Sequence, residues 1–199
     1  MKNYIDKSFP FFLFIISIVI YFTTANPGLG FTDSGELASV CALLGIAHPT
    51  GYPLFTLLGH IWTFFPHSVP LIQILNYFAG FLTSLSVVFF YFTLLELFKI
   101  LELNNLNHEE NQTSNKWIAL ISGFTYAFAL TIWGQASAIE VYPLHILFIN
   151  IILLFFLKSF SFKEKKERYL LLTAFLLGLS FTNHLTTVLL LPAVLLLFL

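Results

Sequence analysis

The amino-acid sequence predicts an all-α polytopic membrane protein, a bundle of about six transmembrane helices with interfacial helices in its first outer loop. Of its 199 residues, 58% are hydrophobic and only 10% are charged, whereas a soluble domain carries about 25% charged residues. The mean hydropathy is +0.87, and 25 residues are Phe, which indicates a lipid-facing surface. The apolar residues come in runs separated by short polar segments, as in a chain that crosses a bilayer repeatedly.

Six apolar runs are predicted to span the membrane. The first follows Lys2 and Lys7, and we interpret it as an uncleaved helix rather than a secretory signal peptide because further apolar runs follow. The segment 54–65 is shorter than the roughly 20 residues that a span needs, so we predict an interfacial or re-entrant helix closed by Pro66 and Pro70. The predicted spans are residues 9–25, 71–98, 117–133, 139–157, 169–181 and 185–199.

Polar segments mark the predicted loops. Residues 26–70 form the first outer loop with its juxtamembrane helices, 104–116 a polar loop, 134–143 a short turn and 158–168 a basic loop. The chain stops within an apolar run. We therefore expect residues 1–199 to be one membrane domain that forms the N-terminal part of a longer one, with little activity in isolation.

The basic residues predict the orientation. All nine Lys and Arg lie at the N-terminus or in loops on its side of the membrane, once the six spans alternate. Such loops stay in the cytoplasm, so the opposite face is expected to be periplasmic or luminal. The net charge of −1 argues against the positively charged surface that nucleic-acid binding requires. The single cysteine, Cys41, cannot form an internal disulfide.

The strongest local motif is Phe31-Thr-Asp33-Ser-Gly-Glu36-Leu, which precedes an apolar stretch that Gly45 is expected to end. One interpretation is a capping box, with Asp33 as N-cap and the Glu36 side chain returning to its backbone N–H. The other is a catalytic role for the two carboxylates. The interpretations are compatible, because a cap keeps carboxylates near the helix N-terminus, where anions are favoured.

The loop after this helix contains His48, Pro49, Gly51, Tyr52 and Pro53. Proline fixes φ and glycine permits a sharp turn, so we predict a rigid loop. It displays His48 and Tyr52 beside the carboxylates, which suits substrate binding. The alternative is a stiff connector between two interfacial helices.

Two later clusters are expected at the same face. Glu140 and Tyr142 lie in the segment 134–143, where Glu140 is a candidate ligand for a substrate hydroxyl or a metal, or an acceptor within a turn. Asn183 and His184 lie between the last two spans, as substrate-binding residues or as a packed polar bridge. Each cluster alone is weak evidence, and their convergence at one face is the argument for a site.

These motifs resemble a known superfamily. An acidic pair on a juxtamembrane helix after the first span resembles the GT-C superfamily of polyprenyl-linked sugar transferases. The detailed pattern is similar to a bacterial multi-pass family of unknown function, related to the eukaryotic transmembrane protein O-mannosyltransferases. The resemblance rests on Asp33-Ser-Gly-Glu36-Leu, Gly45-Ile-Ala-His48-Pro49-Thr-Gly51-Tyr52-Pro53-Leu54, Glu140-Val-Tyr142 and Asn183-His184-Leu185.

The resemblance implies a glycosyltransferase in the bacterial inner membrane, active at the periplasmic face among membrane lipids. It would move a sugar, with mannose as one candidate, from a polyprenyl phosphate to a hydroxyl of an exported protein or glycan, with inversion. Asp33 would be the base and Glu36 would lie beside it. The expected substrate-binding residues are His48, Tyr52, Glu140, Tyr142, Asn183 and His184.

The donor phosphate raises the question of a cofactor. The outer loops contain no Lys or Arg, so helix N-termini, a histidine or a divalent metal must stabilise the departing phosphate. The metal requirement is left open. A non-enzymatic protein that binds or translocates a lipid-linked sugar is the alternative, and it predicts ionisable residues near the bilayer midplane. A purely structural subunit predicts outer carboxylates that do not converge.

The topology can be tested by labelling single cysteines, placed in the segments 26–70 and 104–116 of a Cys41→Ser protein, with a membrane-impermeant thiol reagent. We expect the first segment to react from outside and the second only after permeabilisation, because the basic residues retain the second segment in the cytoplasm. The opposite pattern would contradict the proposed orientation.

Overall fold

A computed structural model of the chain describes residues 2–30, 32–66, 68–104 and 112–192. All regular elements in these residues are helical, which confirms the predicted all-α bundle. The α-helices are α1 (Lys2–Thr24), α2 (Ser34–Leu43), α3 (Pro53–Trp62), α4 (Leu71–Asn104), α5 (Gln112–Ala127), α6 (Leu130–Ala136), α7 (Tyr142–Ser161) and α8 (Lys166–Phe181). Two 3₁₀ helices cover Lys163–Lys165 and Leu185–Leu190.

The long helix α4 is the centre of the bundle and packs against α1, α5, α6 and α7. In the described part of the chain, α4 and α7 are long and apolar enough to cross a bilayer, and the bent pair α5–α6 is a third candidate. A shorter apolar helix runs from Ser8 to Thr24 within α1. The total of about six spans therefore stays a prediction.

The third predicted span, residues 117–133, is bent rather than a single straight helix. The chain bends by 64° between α5 and α6, and Ala129 is extended, with ψ of 132°. A side chain from another helix accompanies the bend: the buried Tyr21 hydroxyl of α1 donates to the carbonyl of Ala127 at 2.9 Å. This bond satisfies a carbonyl at the end of α5.

The predicted loops are shorter in the structure. The turn at 134–143 shrinks because α6 reaches Ala136 and α7 begins at Tyr142. The basic loop at 158–168 shrinks because α7 reaches Ser161, and helical structure resumes at Lys163. Most of the predicted loop at 104–116 lies outside the described residues, as does 193–199 of the last predicted span. The described start of that span is the 3₁₀ helix, which differs from the α-helix expected there.

The helices α2 and α3 form a short hairpin between α1 and α4. Each has 10 residues and is therefore about 15 Å long, too short to cross a bilayer. The two helices pack so closely at Gly59 of α3 that a Cβ on this residue would lie 2.5 Å from Cys41 Sγ of α2. Gly45 follows the end of α2 as expected, although Leu44 takes the left-handed conformation, with φ of 51°.

The buried side chain of Asn76 joins the segment between α1 and α2 to α4. Its amide nitrogen donates to the carbonyls of Asn26 and Gly28, at 2.7 and 2.9 Å. Its oxygen accepts from the backbone N–H of Ile139 at 2.9 Å. One side chain thus fixes the segment before α2 and the segment before α7 to the same turn of α4.

We expect Asn76→Ala to lower the free energy of unfolding by about 2 kcal/mol. The carbonyls of Asn26 and Gly28 and the N–H of Ile139 would lose their hydrogen-bond partner. Unfolding in detergent, followed by circular dichroism, measures the change. Thr125→Val on the exposed side of α5 is the control and should stay within about 0.5 kcal/mol of wild type. Equal effects of the two substitutions would contradict the anchoring role of Asn76.

Candidate active site

The acidic pair lies at the N-terminus of α2, but it does not form the predicted capping box. Asp33 makes no capping hydrogen bond with its side chain. Glu36 points to the following loop instead: its Oε1 accepts from the His48 backbone N–H at 2.6 Å, and its Oε2 lies 3.0 Å from His48 Nδ1. The capping interpretation is therefore wrong, and the Asp33 carboxylate is not occupied by a cap.

The Glu36 carboxylate determines the orientation of His48. Because a carboxylate only accepts, Nδ1 of His48 donates to it, and Nε2 of the same ring lies 3.1 Å from the Tyr52 hydroxyl. The hydrogen bond from the His48 backbone, followed by that from its ring, lowers the pKa of Glu36. Glu36 is therefore ionised at neutral pH, and the three residues form one connected row.

Backbone strain flanks the acidic pair. Thr32, directly before Asp33, has φ of 60°, and Tyr52, directly before α3, has φ of 44°. Non-glycine residues rarely adopt these left-handed conformations, which cost on the order of 1–3 kcal/mol each. Such strain persists only where packing imposes it, and it is concentrated at functional sites in proteins.

Asp33 and Glu140 line one cavity of about 550 Å³, together with Thr32, Gln135 and Tyr142. Partial burial, followed by the negative charge of Asp33, raises the pKa of Glu140. The structure therefore brings the first and second predicted clusters together across a cavity large enough for a small ligand.

His184 brings the third cluster to the same place. The ring of His184 stacks on that of Tyr52, with 5.9 Å between the ring centroids and 9° between the ring planes. The centroid of the Tyr142 ring lies 5.3 Å from that of His184. Burial lowers the pKa of His184. The aromatic rings thus connect the loop after α2 with the N-terminus of α7 and the end of α8.

Asn183 lies beneath this site rather than at its surface. Its side chain is fully buried, and its amide nitrogen donates to the Val141 carbonyl at 3.3 Å. This is the packed polar bridge that the sequence left open as an alternative. Asn183 joins the turn after α8 to the start of α7 and so supports the position of its neighbour His184.

Two residues next to His184 were not among the predicted site residues, although His145 ends the polar cluster that contains Glu140 and Tyr142. His145 is buried in the first turn of α7, and its Nε2 lies 3.0 Å from Thr186 Oγ1. Thr186 Oγ1 lies 2.6 Å from His184 Nδ1. The signal for His145 was its spacing, since it follows Tyr142 by three residues and so lies on the same side of a helix.

Three of the site residues could also hold a metal ion. Asp33, Glu36 and His48 each offer a ligand atom, and these atoms lie within 4.8 Å of one another. The mixture of carboxylate oxygen and imidazole nitrogen suits a divalent transition metal. Both ring nitrogens of His48 are already bonded, so an ion would have to replace its bond to Glu36 or to Tyr52.

Comparison with known proteins identifies the family. The family model described as the protein O-mannosyl-transferase TMEM260 N-terminal domain matches residues 33–199. A Dictyostelium discoideum protein named protein O-mannosyl-transferase tmem260 is 28% identical over 193 residues, which cover 89% of this chain and 21% of that protein. A Mus musculus protein of the corresponding name is 28% identical over 177 residues, 87% of this chain and 23% of that protein.

The chain therefore spans about a fifth of the length of these curated relatives. No solved structure matches it. The resemblance to the GT-C-like protein O-mannosyltransferases, noted in the motifs around Asp33, is confirmed by the relatives' names. The chain belongs to the family of the protein O-mannosyl-transferase TMEM260 N-terminal domain.

Proposed function

We propose that this chain carries the sugar-transfer site of a protein O-mannosyltransferase-like glycosyltransferase. The observation that carries the proposal is the placement of Asp33, which has no cap bond and faces Glu140 across the cavity. Two carboxylates of different environment, with aromatic rings beside them, suit a sugar and a hydroxyl acceptor. The names of the relatives agree with this chemistry.

In the proposed reaction, Asp33 is the general base. A Ser or Thr hydroxyl of an exported protein attacks the anomeric carbon of the sugar, and Asp33 accepts the hydroxyl proton as the new C–O bond forms. The bond from the anomeric carbon to the lipid phosphate breaks, and its electron pair leaves with the phosphate. The single displacement inverts the configuration at the sugar.

The remaining acidic residues have supporting roles. Glu36, kept ionised by His48, orients the acceptor at the start of α2. Glu140, whose raised pKa reflects burial and the charge of Asp33, binds a sugar hydroxyl. Environments that separate the pKa values of neighbouring carboxylates are typical of sites in which each has a different role.

We propose a polyprenyl-phosphate sugar as donor, with mannose as its sugar, at the periplasmic face of a bacterial inner membrane whose cytoplasmic side holds the N-terminus. Because the outer loops contain no Lys or Arg, the phosphate charge needs another partner. His184 and a divalent cation held by Asp33, Glu36 and His48 are the proposed partners. The cation would supply positive charge near the phosphate.

A translocation function fits the structure less well. In α4, the acidic and basic residues are Glu96, Lys99 and Glu102, towards its C-terminal end. In α7, the histidine and the basic residue are His145 and Lys158, near its two ends. A transporter places charged binding groups near the bilayer midplane, whereas these two spans contain no acidic or basic residue there.

Asp33→Asn in the complete protein is expected to lower the transfer rate by at least about 100-fold, because general-base catalysis contributes that much or more. Transfer of mannose from a polyprenyl phosphate to a Ser/Thr-containing acceptor measures the effect. Since Asp33 makes no cap bond, the free energy of unfolding should not change. Ser39→Ala, on the exposed side of the same helix, is the control, and near-normal turnover of a folded Asp33→Asn protein would refute the base assignment.

A chelator is expected to abolish transfer, and added Mn²⁺ should restore it. Binding of Mn²⁺ alone can be followed by electron paramagnetic resonance. Glu36→Gln should weaken binding by about tenfold or more, because a neutral amide is a poorer ligand than a carboxylate and second-shell losses alone reach this size. Unchanged Mn²⁺ binding by Glu36→Gln, or transfer that resists the chelator, would contradict the metal assignment.

A further inference from the structure

A row of hydrogen bonds leads from the buried residue His145 to the site. His145 Nε2 lies 3.0 Å from Thr186 Oγ1, and this oxygen lies 2.6 Å from Nδ1 of His184. The transfer chemistry proposed above assigns no role to His145 or Thr186. Both residues lie next to His184, whose ring contacts the rings of Tyr52 and Tyr142.

The backbone determines the direction of this row. The backbone N–H of Thr186 also points at His184 Nδ1, at 3.3 Å. Since a backbone N–H can only donate, Nδ1 carries no hydrogen and accepts. The Thr186 hydroxyl therefore donates to the same Nδ1, and its oxygen accepts from the N–H at Nε2 of His145.

The burial of His145 strengthens this assignment. The residue is only 8% exposed, and its Nδ1 is buried without a hydrogen-bond partner among the described residues. A charged imidazole would place an N–H at that position with no acceptor, which is costly in an apolar environment. His145 is therefore neutral, with its hydrogen on Nε2, and the row has one direction.

The same logic determines the form of His184. With Nδ1 accepting, the neutral ring carries its hydrogen on Nε2, and no described residue bonds to that nitrogen. We propose that His145, acting through Thr186, holds His184 as a neutral donor whose Nε2–H binds the phosphate of the lipid-linked donor. The phosphate as ligand rests on the proposed function, while the orientation of the row does not.

The groups that face His184 are consistent with a neutral ring. They are Tyr52 at the start of α3, and Tyr142 and His145 at the start of α7. None of them is a carboxylate, whose negative charge would favour imidazolium. Burial also lowers the pKa of His184, which favours the neutral form.

Capping of the following 3₁₀ helix is the alternative role of His184, because its side chain accepts from Thr186 N–H at the start of Leu185–Leu190. A cap needs only that backbone bond. It requires neither the hydroxyl of Thr186 nor a buried histidine behind it. The two roles therefore differ in what removal of the hydroxyl does to His184.

Solid-state ¹⁵N NMR of the histidine-labelled complete protein tests the row directly, with His184 assigned by the signal lost in His184→Gln. We expect a neutral ring with hydrogen on Nε2 in the wild type. Thr186→Val keeps the volume but removes the hydroxyl, and it should shift the Nδ1 signal, whereas Thr186→Ser should preserve it. A hydrogen on Nδ1 in the wild type, or an Nδ1 signal unchanged by Thr186→Val, would overturn the proposal.

Kinetics test what the row does for transfer. Thr186→Val and His145→Leu should each lower kcat by about tenfold, the effect of one lost oriented hydrogen bond. Thr186→Ser and His145→Gln should recover most of it, because glutamine places an amide nitrogen near the position of Nε2. The pH profile of the impaired variants should shift at its acidic limb, which loss of a cap alone would not produce.

The outcomes separate this inference from the proposed function. A wild-type protein that transfers no mannose would refute the proposed function, while the ¹⁵N signals would still decide the row. Normal kcat in Thr186→Val and His145→Leu, in a protein whose wild type is active, would overturn the role of the row in transfer.

Discussion

The hydrogen bonds of Asn76 are the constraint on which the candidate active site depends. An amide side chain buried in an apolar bundle is costly unless its donors and its acceptor are all paired. Here the partners are the carbonyls of Asn26 and Gly28 and the N–H of Ile139. The two segments that carry Asp33 and Glu140 are thereby held next to each other, and the cavity between them follows from this arrangement.

The chemistry of the candidate site depends on the absence of basic residues from the segments that form it. The segments 26–70, 134–143 and 182–184 contain no Lys or Arg, so hydrogen bonds rather than fixed positive charges organise the acidic residues. Glu36 is held by the backbone and ring of His48, and the ring of His184 is stacked on Tyr52. Two rows of polar contacts, one through Tyr52 and one through Thr186, therefore reach the aromatic rings at the site.

Helical elements were largely predictable from hydropathy. The apolar runs at 71–98 and 139–157 correspond to α4 and α7, because a run of apolar residues long enough for a bilayer has few other structures available. The bend between α5 and α6 was not predictable, since hydropathy continues through it. It coincides with a bond from Tyr21, a residue 106 positions earlier in the chain.

The sequence by itself determined the class of protein, the acidic motif at Asp33 and Glu36, and the three polar clusters, because these depend on composition and on local spacing. The tertiary structure alone decided the partner of each polar group. Glu36 binds His48, 12 residues away, instead of capping its own helix, and His145 meets Thr186, 41 residues away. Helix packing determines which residues distant in sequence become hydrogen-bond partners, and local sequence patterns do not predict that packing.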